Sequence, residues 1–498
     1  MIDIPNRETE RGRRDLDRRL VSGVAWTAAA RWTTQGISWL ALFFLAKLLS
    51  PADFGLVGMA GVFMLTISMI SEFGIDSAII VTPNLTPAKL RQMNTVAALL
   101  GVAGTLIGFV ATIPIATFFR EPKLKAIIPA MVLGFAMNGL KIVPQSALLK
   151  ELRFKLVSRI EMVQGVLQAG VAVVLAYLGL RYWAIILGNL ISSLVMTVLM
   201  IAFHPCGFSR PCLRTIKKEL TFSRKILTMR VAWNVYSNFD FVAAGRCLGK
   251  TALGTYTMAW NIANVPLERV TSLVLRVTPT IFSKVQHDPA ELRRYFGMFL
   301  EGIALITFPL SLGLALVAQP LMTSVFDARW QNAVMPLRIL AMTVGLRSLT
   351  AVIPQVLNFV NDVDYAMWQT IATAAILCPS FFYASRWGSS GIAMVWLVVA
   401  CPFTVATLLA RACQKTGLSF GDFLRAIRPA LLASTAMAVA VLAEYFLIGG
   451  HFRPWTKLIA ESLSGAAVYA GLVLAFHGPR LTTLYQVMLR KTVSATTA

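Results

Sequence analysis

The sequence predicts an all-α integral membrane protein of about fourteen transmembrane helices, in two six-helix lobes followed by two C-terminal helices. Three observations predict it. Of 498 residues, 57% are hydrophobic and 14% charged, against about 45–50% and about 25% in soluble domains. Mean hydropathy is +0.68 across the chain, which excludes a soluble enzyme on a single anchor. Apolar runs near the ~20 residues that cross a bilayer recur near 21–48, 55–81, 93–119, 124–148, 157–178, 182–203, 226–248, 252–283, 295–318, 333–359, 365–386, 388–412, 429–448 and 456–477. Twelve is the alternative count, because very short loops such as Gly179–Arg181 blur two runs into one.

In chain order, residues 1–20 form a polar, Arg-rich tail without the layout of a signal peptide. Helices 1–6 fill 21–205, a basic linker spans 206–225, helices 7–12 fill 226–412, and helices 13–14 with a tail fill 413–498. The formal charge of +23 comes from 46 Lys and Arg against 23 Asp and Glu. The cations alternate with long apolar runs and build no single basic face, so nucleic acid is excluded as a partner and membrane lipid is favoured. Lys and Arg collect in the tail and in the loop 204–225, with six in each, while the longest opposite loop, 319–332, has one. The positive-inside rule then puts both termini in the cytoplasm.

The outward loops are too short to house the acidic site of a membrane transferase or polymerase. The longest inner loop is too short for a nucleotide-binding domain, and no GxxxxGK[ST] phosphate loop is present. The chain therefore reads as a non-enzyme. Cys206 and Cys212 share a loop with His204, but no CxxC spacing supports a metal centre; the remaining cysteines, Cys247, Cys378, Cys401 and Cys413, behave as small hydrophobes. No cofactor and no metal are expected.

An internal repeat supports two lobes. Leu49, Gly55, Met59 and Ala60 recur without gaps as Leu248, Gly254, Met258 and Ala259, at the entry to the second and eighth helices. Six helices per half is an even number, so the halves share one orientation about an axis along the membrane normal. Two such bundles enclose a central cavity, which is transporter architecture.

Ionisable residues inside spans are functional candidates, because each costs several kcal/mol unless it meets a partner or a wet cavity. Arg31 sits midway along the first helix, Lys141 late in the fourth, Arg230 early in the seventh and Arg276 deep in the eighth. Arg338 and Arg347 stand nine residues apart in the tenth and so lie on roughly opposite faces. Glu72 and Asp76 are spaced to share a face of the second helix, although Gly74 marks a break there. Asp240, six residues before Arg246, and Glu268, which with Arg269 follows Pro266, are ion pairs or ion-coupling sites. A net positive cavity needs an anionic ligand, and the arginine fork suits phosphate. A diphosphate-linked lipid fits both the cations and the bilayer; a cationic drug would require the reverse sign. Pro266, Pro309, Pro354 and Pro402 mark expected kinks.

Several longer stretches carry a resemblance. They are Leu48-Leu-Ser-Pro-Ala-Asp-Phe-Gly-Leu-Val-Gly-Met, Pro144-Gln-Ser-Ala-Leu-Leu-Lys-Glu-Leu-Arg-Phe-Lys155 and Asn238-Phe-Asp-Phe-Val-Ala-Ala-Gly-Arg-Cys-Leu-Gly249. To these add Leu253-Gly-Thr-Tyr-Thr-Met-Ala-Trp-Asn-Ile-Ala-Asn-Val-Pro266, Asp327-Ala-Arg-Trp330 and Pro336-Leu-Arg-Ile-Leu-Ala341. In order from about residue 20 to 415, they resemble the polysaccharide transport family, the O-antigen and exopolysaccharide flippases of the superfamily that also holds MATE-type exporters. The resemblance implies a bacterial inner-membrane protein that flips undecaprenyl-diphosphate-linked oligosaccharide by alternating access, with a polysaccharide polymerase and co-polymerase as partners. Related lipid II flippases hold the diphosphate with arginines in the first and eighth helices, which by position nominates Arg31 and either Arg269 or Arg276, beside Arg347 and Lys141. Gln35, Trp39, Asn234, Tyr236, Asn261 and Asn264 are the expected sugar contacts. A MATE-like antiporter coupled to sodium or protons is the alternative.

Overall fold

The computed structural model describes residues 32–82, 85–211, 227, 231, 233–235, 237–285, 288–359, 363–448 and 455–475. Every regular element among them is helical. Ten described stretches are long and apolar enough to cross a membrane. One of them, Met367–Thr416, runs 50 residues, more than twice what one crossing takes. A turn at Ser385–Trp387 divides it where the sequence separates the runs 365–386 and 388–412. The chain is an all-α, multi-pass membrane protein. By contacts it divides into two compact units, Met1–Asn238 and Phe239–Ala498.

The described helices of the first unit are α1 (32–48), α2 (Pro51–Glu72), α3 (Ile75–Val81), α4 (Pro87–Phe119), α5 (Leu124–Lys150), α6 (Phe154–Tyr177) and α7 (Tyr182–Phe203). Their starts are written in the sequence. Ser50 accepts from the Asp53 amide and Asp53 from the Ser50 amide, a reciprocal capping box, with Pro51 at the first helical position. At α4, Thr86 accepts from the Lys89 amide and Pro87 takes the first helical position, without a reciprocal bond. Such caps occupy amides that no carbonyl inside the helix can reach. Between α2 and α3, Phe73 and Gly74 are both left-handed, with φ of 49° and 67°. The break falls between Glu72 and Asp76, so the two carboxylates sit on separate helices and not on one helical face as their spacing predicts.

Lipid tails are as apolar as a leucine side chain, so burial against lipid drives no helix together and close packing must do so. The α4–α5 contact does this with glycine. Gly101 and Gly139 face each other so closely that a Cβ on Gly139 would lie 2.6 Å from the Ala97 carbonyl oxygen. Thr105, beside them, donates to the Gly101 and Val132 carbonyls at 3.0 Å each, tying α4 to α5. Ile79, Met93, Ala97 and Val143 form a core around that contact. After α7 the chain lies across the start of α4, where Asn94 donates to the carbonyls of Cys206 and Gly207.

In the second unit, α8 (Phe239–Ala243) passes through a π turn, Ala244–Leu248, into α9 (Gly249–Val285). There follow α10 (Pro289–Val325), α11 (Val334–Thr350), α12 (Ile353–Phe359) and α13 (Val363–Ala384). Helix α14 joins Gly388–Val395 to Cys401–Thr416 through a second π turn, Trp396–Ala400. It is followed by α15 (Phe420–Ile448) and α16 (455–475). Phe423, Ile427 and Ala430 of α15 share one core with Phe296, Leu300 and Phe308 of α10. Tyr469 of α16 donates to the Leu305 carbonyl at 2.6 Å. The last two helices thus lie along α10.

Of the four expected kinks, Pro266 and Pro309 lie inside α9 and α10. Pro354 and Pro402 instead stand in first turns, after the break at 351–352 and after the second π turn. A proline has no amide proton to give, and a first turn needs none. Three of the four repeated positions keep the same burial, while Leu49 is buried and Leu248 half-buried. Gly55, Met59 and Ala60 are buried in α2, and Gly254, Met258 and Ala259 in α9.

Two outcomes test this packing. Gly139→Val forces a side chain into the Ala97 backbone, and we expect a loss of about 1–3 kcal/mol, measured as a lower melting temperature in detergent. Gly134→Ala on the same helix, where nothing lies within 4 Å, should be neutral or slightly stabilising. In the loop after α7, burial, aided by the Glu151 carboxylate, pushes the Cys206 thiol from 9.0 up to about 11. Because only the thiolate alkylates, a single-cysteine variant keeping Cys206 should react about a hundredfold more slowly at pH 8 than an unshifted thiol. The rate should climb until the pH passes 11.

Candidate functional site

A polar cluster sits in the interior of the second unit, built on four helices. Asp240 of α8 is fully buried. Its Oδ2 accepts from the Tyr256 hydroxyl of α9 at 2.7 Å and from the Trp396 indole Nε1 of α14 at 3.0 Å. Its Oδ1 accepts from the Phe241 amide at 2.9 Å. A carboxylate in apolar surroundings costs several kcal/mol unless it is paired and hydrogen-bonded, and here three donors converge on it. The countercharge is Arg347 of α11, which acts on Asp240 electrostatically. Its guanidinium stands 4.8 Å from the ring centres of both Trp260 and Trp396. Nη1 donates to Asn264 Oδ1 at 3.0 Å, while the Asn264 amide donates to the Trp260 carbonyl. Phe241 and Phe381 close the aromatic shell edge-on and tilted against Trp260 and Trp396. A desolvated cation over two indole faces gains about 2 kcal/mol or more.

Asp240, Asn264 and Arg347, which sequence reasoning nominates for three different roles, are thereby brought together. Arg338 goes elsewhere, donating to Gln319 at 3.1 Å, in agreement with its half-turn offset from Arg347. On α9, Asn261 and Glu268 are exposed.

A second polar cluster lies in the first unit. Glu72 accepts from Asn138 at 2.7 Å and from Ser68 at 3.0 Å. Lys141, one turn along α5 from Asn138, lies 3.7 Å from the Met196 sulfur, in electrostatic reach of Glu72 and Glu161. Gln145 donates to Glu161 at 3.2 Å. Asp76 is half-buried on α3. Asn234 is buried and donates to the Thr66 hydroxyl at 2.9 Å, while Asn238 donates to its Oδ1. Gln35 and Trp39 are half-buried on α1. Arg31, Arg230 and Tyr236 lie outside the described residues. Arg269 and Arg276 lie within α9, with their side chains outside them.

The family of polysaccharide biosynthesis proteins matches residues 44–335, more than half of the chain. The chain belongs to that family. Its curated relatives include the teichuronic acid biosynthesis protein TuaB of Bacillus subtilis, 25% identical over 92% of this chain and 96% of the relative. The lipopolysaccharide biosynthesis protein WzxC of Escherichia coli is 24% identical over 86% of this chain and 89% of the relative. The succinoglycan biosynthesis transport protein ExoT of Rhizobium meliloti is 25% identical over 91% and 92%. Among solved structures, the lipid II flippase MurJ in an inward closed conformation superposes with a TM-score of 0.72 at 14% identity, covering 91% of this chain and 99% of that one. An outward-facing MATE transporter of the MOP superfamily gives 0.51 at 13% identity, covering 80% and 97%. The fold of this polysaccharide biosynthesis family member is therefore that of membrane transporters and flippases, as its sequence predicts.

The family match includes Glu72, Lys141, Asp240 and Asn264 but ends before Arg347 and Trp396. Sequence reasoning missed Tyr256, Trp260 and Trp396. Tyr256 and Trp260 lie on one face of α9, sixteen and twenty residues past Asp240; that spacing on a helix entered straight after an intramembrane Asp was the available signal. Nothing in the sequence pairs Trp396 with residues 156 positions away.

Replacing Asp240 with Leu strands the Tyr256 hydroxyl and the Trp396 indole, at about 1–3 kcal/mol for each buried donor. We expect a marked drop in folded yield and melting temperature. Asp240→Asn keeps an acceptor for one donor and should recover most of both, and thermal unfolding of the three proteins in detergent checks it.

Proposed function

We propose that this protein is a flippase that carries undecaprenyl-diphosphate-linked oligosaccharide repeat units from the inner to the outer leaflet of a bacterial inner membrane, for exopolysaccharide or O-antigen synthesis. One observation carries the reading: a chain whose relatives are named for making and transporting surface polysaccharide shares its fold with a lipid II flippase over almost that protein's whole length. Lipid II and a lipid-linked repeat unit pose the same physical problem. A hydrophilic head must cross while its tail stays in the bilayer, and the diphosphate needs cations wherever water is scarce.

Arg31 and Arg276, or Arg269 in its place, are assigned to the diphosphate. Lys141, beside Glu72 and Glu161, is assigned a weaker auxiliary role. Arg347 is assigned to neutralising Asp240, because Asn264 and two indoles already engage it; Asp240 is accordingly a structural countercharge. Glu72, which accepts from Asn138, and Asp76 and Glu268 are the remaining candidates for coupling transport to an ion gradient. Asn234 and Asn264 spend their amides within the protein, which leaves Gln35, Trp39, Tyr236 and Asn261 for sugar. Alternating access moves the load, both termini face the cytoplasm by the Lys and Arg count, and a polymerase and co-polymerase receive the product. The MATE-like antiporter is the second reading, and its smaller TM-score and the arginines its spans are expected to carry weigh against it.

Deleting the gene in its host and analysing lipid-linked oligosaccharide together with surface polysaccharide tests the reading. Completed repeat units should accumulate on the inner leaflet and surface polymer should disappear. Wild type should restore it, and Arg31→Ala combined with Arg276→Ala should not. Unchanged polysaccharide with altered drug tolerance would overturn the flippase in favour of the antiporter.

A further inference from the structure

A cavity of about 790 Å³ opens at one end of the second unit, within the ~300–1,000 Å³ typical of small-molecule sites. It lies where three junctions meet: the π turn entering α9, the turn from α10 to α11, and the turn entering α14. Counted from the Arg-rich tail, all three junctions fall on the outer side of the membrane. The cavity is separate from the Asp240–Arg347 cluster, whose residues do not line it.

Its lining has a definite chemistry. Side-chain amides of Gln319, Gln331 and Asn332 and the hydroxyl of Ser389 face it, and among the described lining residues Arg338 is the only charge. Amides donate and accept in one plane, the pattern that matches neighbouring sugar hydroxyls, which also do both. Trp387 adds an apolar ring at the rim and is 63% exposed. An aromatic face suits the C–H face of a pyranose, while the amides suit its edge.

The wall is pre-set. Gln331 and Asn332 ride on the 3-10 turn Ala328–Ala333, which Asp327 caps through the Ala328 amide at 2.7 Å. Fully buried Trp330 pins that turn from beneath. Arg338 is aimed by its bond to Gln319, and Tyr383 holds Trp387 edge-on at 5.3 Å. Trp alone at a membrane surface is an ordinary interface anchor. An anchor needs no amide wall opposite it and no cavity between.

We propose that this cavity is a sugar subsite, which takes a hydroxyl-rich ring of the oligosaccharide as the head emerges on the outer side. The proposal rests on the flippase reading for the identity of its ligand but not for its chemistry. It needs neither the diphosphate nor the arginines assigned to it.

The test therefore uses sugar alone. The probe is the repeat-unit oligosaccharide released from the host's own surface polysaccharide, free of lipid and phosphate, titrated onto the full-length protein in nanodiscs while tryptophan fluorescence is followed. Saturable binding is expected. Gln331→Ala with Asn332→Ala, and separately the cavity-filling Ser389→Trp, should each raise Kd by about tenfold or more at unchanged melting temperature. Gly134→Ala, in the first unit, should bind as wild type does. In the deletion host the two cavity variants should slow polymer export several-fold without abolishing it. Absence of binding to wild type, or binding that both cavity variants leave intact, overturns the subsite. If binding follows the cavity but gene deletion leaves lipid-linked oligosaccharide unchanged, the subsite stands and the flippase reading falls.

Discussion

A carboxylate placed among apolar helices has to be answered from several directions at once, and much of the second unit is arranged as that answer. Asp240 takes a hydroxyl from α9, an indole from α14 and an amide from its own helix. Its countercharge arrives from α11. Four helices are tied by one side chain, so their mutual rotation is set by hydrogen-bond geometry, which nonspecific apolar contact alone would leave loose. The same logic explains why the aromatic residues cluster there. Trp260 and Trp396 shield the Asp240–Arg347 pair and at the same time contribute ring faces to the cation.

The first unit solves the same problem with smaller pieces. Glycine against glycine brings α4 and α5 within backbone contact, and Thr105 bridges them. Its polar interior is a relay of Glu72, Asn138 and Lys141 with Glu161 and Gln145. The two units thus share a helical entry motif and most of its burial pattern but differ in how they satisfy charge.

Much of the fold was legible in the sequence, because crossing a bilayer demands long apolar runs and those runs are printed in the chain. The break at Gly74 was legible too, since it depends on residues within a few positions. The candidate site was only half legible. Asp240 and Arg347 stand out as charges in apolar runs, but their partners do not, because Tyr256 and Trp396 are of types that equally pack, anchor or bond. Asn264 looked like a sugar contact because an Asn in a helix leaves its amide available; the structure spends that amide on Trp260 and Arg347. The role of Pro402 was hidden as well, since a π turn depends on hydrogen bonding across five residues and has no sequence signature of its own.

The π turn Trp396–Ala400, set within the continuous helix α14, carries a consequence of a different kind. A π turn holds one residue more than the helix around it, which offsets every side chain beyond it by about 100° of helical phase. Trp396, which donates to Asp240, is the first residue of this turn. Helix α14 can therefore present Gly388–Ser390 to the mouth of the unit and Leu408, Leu409 and Ala412 to its core in independent register. Single-residue insertions in membrane helices are usually ruinous because they turn a packed face toward lipid. Here the surplus residue acts as a vernier, and a chain that lost it would have to choose which of its two ends to keep in alignment.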